Sequence, residues 1–69
     1  MSGHYEIRVR HRLGPPVTDI FRDLELRYGD DSTLLRIDGT DQAMLHGTLI
    51  RLGDLGLEII SVERIETVR

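Results

Sequence analysis

The residues best placed to move a proton are His46 and the two carboxylates that bracket it, Asp41 and Asp54. An imidazole titrates near neutral pH, and an acid beside it is the minimum for general acid–base work. On a helix, however, His46 shares its side with Gln42 and Ile50 at four-residue spacing, whereas Asp41 stands five residues back. The chain has neither Cys nor Lys, and no Ser sits in a recognisable nucleophile motif. The expectation is no catalytic set and no enzyme, with His46 an interfacial or capping residue. Metal chemistry fares no better. His4 and His11 have opposite parity on one strand and cannot converge locally. Asp30 and Asp31 are adjacent acids in a Gly/Asp turn with no further ligand spacing, which reads as a solvated turn. No metal and no cofactor are expected.

A second constellation sets Arg8, Arg10, Arg12, Arg27 and Arg36 against Glu6, Glu25 and Glu63. A basic sheet face can bind single-stranded RNA if aromatic side chains on it stack bases. The only aromatics are Tyr5, Phe21 and Tyr28, and strand parity with helical spacing turns all three toward the core. Net charge is −3, which also disfavours nucleic acid and anionic membrane. The ladder reads as cross-strand Arg–Glu pairing.

The elements that must carry these residues follow from periodicity. His4 to Leu13 alternates, with Tyr5, Ile7, Val9, His11 and Leu13 on one side and Glu6, Arg8, Arg10 and Arg12 on the other. Gly14-Pro15-Pro16 ends that strand. Val17, Ile20, Phe21 and Leu24 then mark the stripe of a short helix of about two turns. Leu24 to Tyr28 and Thr33 to Asp38 alternate about a Gly29–Ser32 turn and read as a hairpin. Leu24, Leu26, Tyr28, Leu35 and Ile37 share its core face, opposite Glu25, Arg27, Leu34 and Arg36.

The second half is richer in apolar residues. Thr40 reads as the N-cap of a second helix with Asp41 in its first turn. Met44, Leu45, Thr48, Leu49, Leu52 and Leu55 form its apolar face, and Gly56 suits the left-handed position after the helix. Gly47, in mid-helix, implies a close approach of some other backbone. Leu57 to Glu66 is a strand whose apolar residues change parity, so either both faces are covered or a bulge shifts the register. With the helices on one face, Ile59 and Ile65 are expected to project from the other, beside Leu34.

The order β-α-β-β-α-β implies an α+β fold, the ferredoxin-like split βαββαβ sandwich. It has a four-stranded antiparallel sheet in order 4-1-3-2 with two helices on one face. Sixty-nine residues make a single domain, close to the lower limit for a self-sufficient core. Without Cys there is no disulfide to reinforce it, so self-association is the expected support. No apolar run approaches membrane-spanning length, and the start MSGHYEIR lacks the pattern of a secretory leader. The expected setting is cytoplasmic and soluble, with no membrane partner.

The segment DQAMLHGTLIRLGDLGLEIISVER, with the opening YEIRV strand, resembles a family of very short uncharacterised proteins from GC-rich bacteria. The shared pattern places Asp41, Gln42, Ala43, Leu45, His46, Gly47, Leu49 and Arg51 in the helix, and Ser61, Val62 and Arg64 in the last strand. The resemblance implies no activity and no catalytic residue. A looser similarity is to ACT-type regulatory domains, which share the element order and a Gly after the first strand, here Gly14. It implies a small metabolite held near the Gly14 loop or the His46 helix. The principal reading is a small self-associating interaction module, a homo-oligomer with the dimer as the expected form, open to a further protein partner and not to nucleic acid. Its expected interface residues are Leu34, Arg36, Gln42, His46, Ile50, Ile59 and Ile65.

Overall fold

The computed structural model describes residues 2–67. In chain order these form β1 (Ser2–Arg10), α1 (Val17–Ile20), β2 (Glu25–Tyr28), β3 (Ser32–Asp38), α2 (Gln42–Asp54) and β4 (Ile59–Thr67). The sheet runs β2-β3-β1-β4, and every neighbouring pair is antiparallel. This is the ferredoxin-like α+β arrangement expected from the sequence.

Period-two alternation sorts the sheet into two faces. Tyr5, Ile7 and Val9 of β1 and Leu35 and Ile37 of β3 lie on one face, buried with Phe21 and Leu52 from the helical layer. Ile7 is at the centre, opposite Leu35 on one side and Val62 on the other. Leu24, Leu26, Leu45 and Leu49 pack half-buried around this cluster. Thr33 is fully buried on the same face. Its hydroxyl donates to the His11 carbonyl at 2.9 Å and accepts from the Leu13 N–H at 2.9 Å. One side chain thus satisfies the backbone of the loop leaving β1, which would otherwise be left unpaired beside the core.

Several local expectations are corrected. β1 stops at Arg10, because His11 takes φ 76°, a left-handed conformation that ends an extended ladder. His11 is therefore an exposed turn residue, 3.4 Å from Asp31, and not a core one. α1 is a single turn of four residues with none buried; the core anchor is Phe21, just past its end. The N-cap of α2 is Asp41, not Thr40: its carboxylate accepts from the N–H groups of Ala43 at 2.9 Å and Met44 at 3.3 Å. Gly56 takes φ +74° as expected. Gly47 does not answer a close approach, since a Cβ there would meet nothing within 4 Å.

β4 contains the bulge that its mixed parity allowed. Arg8 faces Ser61 and Val9 faces Ile59, which leaves Ile60 as the extra residue. Ile59 therefore lies on the helix-side face with Val9, not on the open face with Leu34. Ile65, opposite His4, is on the open face as expected.

Candidate functional site

The open face carries rows of residues set by the register. One row runs Glu25–Arg36–Glu6–Glu63 across all four strands, and the next runs Arg27–Leu34–Arg8–Ser61. The ion pairs do not follow these rows. Three of them join residues two apart on one strand: His4 Nε2 donates to Glu6 Oε2 at 2.9 Å, Arg27 Nε to Glu25 Oε2 at 2.7 Å, and Arg36 Nε to Asp38 Oδ1 at 3.0 Å. Side chains i and i+2 share a face. Of the expected cross-strand Arg–Glu pairing one instance is present, Arg10 Nε to Glu58 Oε1 at 3.0 Å, across to the residue just before β4. The other pairs on this face are in-strand. Arg8 donates to the Ser32 hydroxyl at 2.9 Å.

The seven expected interface residues fall in separate places. Leu34 and Ile65 are both on the open face and half-buried, but they are two strands apart and four residues offset in register. That separates them by about 16 Å, with Arg8 and Glu6 between, so they do not form a patch. Arg36 belongs to the charged rows. Gln42, His46 and Ile50 are exposed on α2, on the flank opposite the one that Met44 and Arg51 turn toward Phe21. Ile59 belongs to β4's helix-side face.

Among the described residues, neither of the two acids that bracket His46 in sequence pairs with it. Asp41 is occupied as the cap, and Asp54 lies eight residues or about 12 Å farther along the axis. Among the described residues, no group of three or more His, Asp or Glu side chains is placed to hold a metal ion. Tyr5 and Phe21 are buried as expected, whereas Tyr28 is 45% exposed at the β2 edge. Arg12 covers it, with Cζ 5.2 Å from the ring centroid. That is cation–π packing on the helix side of the sheet, not a stacking platform on the open face.

The split apolar parity of the last strand made it, beside the open sheet face, an expected surface for self-association, and the structure shows which part of it is open, the outer edge of β4. Ile59, Ile60 and Val62 are 37%, 49% and 42% exposed in a row along it. The backbone there is also unpaired. The N–H of Arg10 donates to Glu58 O, and the Gly3 carbonyl accepts from Gly39 N. Directions alternate along a strand, so His4, Glu6 and Arg8 point their polar groups at β4, and their partners Ile65, Glu63 and Ser61 point back. Val62, Arg64 and Glu66 accordingly aim their N–H and C=O groups outward. An apolar run with an open ladder is a template for another strand. The signal in the sequence was the pair Ile59-Ile60 before Val62, read together with a bulge.

A second feature is a cleft of about 150 Å³ between the segment after α1 and the helix α2. Phe21, Leu24, Met44 and Gly47 line it together with Asp23 and Arg51. It lies on the flank of α2 away from His46.

A family model described as Domain of unknown function (DUF8691) matches residues 4–63. The chain belongs to this family. The match takes in β1 from His4, both helices, the hairpin and β4 as far as Glu63. The cleft and the exposed Ile59, Ile60 and Val62 therefore lie within the DUF8691 domain, while Arg64 and Glu66 lie beyond the match. No curated protein and no solved structure matches the chain. Among the described residues, no helix is long and apolar enough to cross a membrane.

Proposed function

We propose that this DUF8691 protein is a small self-associating module, and that its dimer forms by antiparallel addition of β4 to the β4 of a second copy. The observation that carries this reading is the edge of β4, where exposed Ile59, Ile60 and Val62 coincide with outward backbone donors and acceptors. Strand addition satisfies those groups and buries the apolar side chains in one step. A core this small gains from such burial more than a larger domain would.

Charge selects the register. Centring the two-fold on Glu63 places it directly opposite its own copy, with Glu6 already facing it from β1. Centring on Arg64 opposes two guanidinium groups. Like charges directly across a ladder are destabilising. Centring on Val62 sets Val62 against Val62, Ser61 against Glu63, Ile60 against Arg64 and Ile59 against Ile65. No like charges then meet over residues 59–65, and Glu58 faces Glu66 only at the two ends of the ladder. The register we propose is the one centred on Val62, which puts the exposed valine pair at the middle of the contact.

Size-exclusion chromatography with light scattering tests the association. The wild-type chain should elute with twice the chain mass at about 50 μM, a concentration well above a micromolar dissociation constant. A strict monomer at millimolar concentration would remove the reading. A protein partner that displaces the second copy from β4 would also contradict the homodimer.

A further inference from the structure

We propose that the cleft between the segment after α1 and the helix α2 is a binding site for a free α-amino acid with a short apolar side chain. The argument starts with two opposite charges. Asp23 and Arg51 both line the cleft, yet neither has an ion-pair partner among the described residues, and they do not pair with each other. The Arg51 guanidinium lies over the Phe21 ring, with Cζ 5.9 Å from its centroid, a contact that favours this placement of its donors. A guanidinium fork suits a carboxylate, and the Asp23 carboxylate suits an ammonium group. A ligand that meets both at once is a small zwitterion.

The space between the charges has both carbon and polar surface, with Thr48 in its wall, and is shaped by an absence. Leu24, Met44 and Phe21 supply carbon surface, and Met44 is 40% exposed. Gly47 stands in mid-helix, where glycine is less favourable than alanine by about 0.5–1 kcal/mol. No neighbour within the chain requires it, because a Cβ there meets only open space. That space is the cleft. Its volume of about 150 Å³ equals that of an engineered cavity that takes up benzene. The cleft has room for a leucine- or valine-sized side chain. The site lies inside one protomer on the flank away from β4, so it does not depend on the dimer.

The test is an NMR titration of the ¹⁵N-labelled protein with L-leucine, 4-methylpentanoate and 3-methylbutylamine. The two analogues each lack one charge of the zwitterion. Leucine should give saturable shifts at the amides of Phe21–Leu24 and Met44–Arg51, and each analogue should bind at least about tenfold more weakly, one lost charged contact. Arg51→Gln and Asp23→Asn should each lower leucine affinity by a similar factor. Gly47→Ala should raise the melting temperature and still weaken binding, which a misfolded variant would not do. No saturable shift with leucine at about 10 mM would overturn the proposal. So would equal affinity for leucine and 4-methylpentanoate, or unchanged affinity in Gly47→Ala. Repeating the titration on Val62→Lys separates this site from the β4 edge: binding there should persist, and binding only to the dimer would contradict a site within one protomer.

Discussion

The sheet has two edges, and they are built in opposite ways. β2 is four residues long and directs outward only the backbone groups of Leu26 and Tyr28, since Gly29 N–H turns inward to Ser32 O at 2.9 Å. Its side chains close it further: Glu25 and Arg27 pair on the open face, and Arg12 lies across Tyr28. Short, charged edges discourage strand addition. β4 is nine residues long, is regular beyond one bulge, and exposes three aliphatic side chains beside an unpaired ladder. A 69-residue chain that protects one edge and leaves the other open has a directional surface. One edge is short and covered by charged side chains, and the other is long, apolar and open.

Four substitutions, two of them paired with a control, break or sharpen that contrast, in order of expected effect. Ile7→Ala removes the side chain shared by both halves of the sheet, fully buried between Leu35 and Val62. It should cost about 2–5 kcal/mol in urea unfolding, enough to unfold a marginal domain at either edge. Val62→Lys should raise the dimer dissociation constant by about 100-fold, equivalent to about 2.7 kcal/mol, with far-ultraviolet circular dichroism unchanged. Tyr28→Lys, the matching change at the closed edge, should leave the mass by light scattering as it is; equal effects of the two would erase the contrast. Asp41→Ala should cost about 0.5–2 kcal/mol through the lost cap, whereas Thr40→Ala should not, which separates the observed cap from its neighbour. Glu25→Gln breaks an exposed pair and should change stability by less than about 0.5 kcal/mol. A larger loss would mean the β2 edge is held by charge and not merely screened by it.

Much of the fold was legible in the sequence, for a definite reason. Tyr5-Ile7-Val9 and Leu35-Ile37 alternate without interruption, and one buried face fixes register strongly. Leu45, Thr48, Leu49 and Leu52 recur with helical spacing, and Gly56 marks the stop. Legibility failed where one residue changes the phase. Ile60 is an insertion that no composition rule locates, and it moved Ile59 from the expected open face to the helix side. His11 fits the alternation as a letter, but its φ of 76° takes it out of the strand. Thr40 and Asp41 both suit an N-cap, and only the positions of the Ala43 and Met44 N–H groups choose between them. Of the expected interface, Leu34 and Ile65 shared a face but not a neighbourhood, because distance across a sheet depends on strand order as well as parity. Gly47 was identified as exceptional, but the reason assigned to it, a neighbouring backbone, is replaced by an open cleft.

The most direct measurement of the central claim uses the absence of native cysteine. Val62→Cys and Glu63→Cys are prepared separately and oxidised gently at about 50 μM, well above a micromolar dissociation constant. In a dimer centred on Val62, the two Cα atoms at that position form a hydrogen-bonded pair about 5.5 Å apart, inside the range a disulfide spans. Those at 63 are about 8 Å apart and outside it. Rapid, near-complete cross-linking of Val62→Cys with little for Glu63→Cys is the predicted result. Equal slow cross-linking of both, or preference for Glu63→Cys, would contradict a β4–β4 dimer in this register.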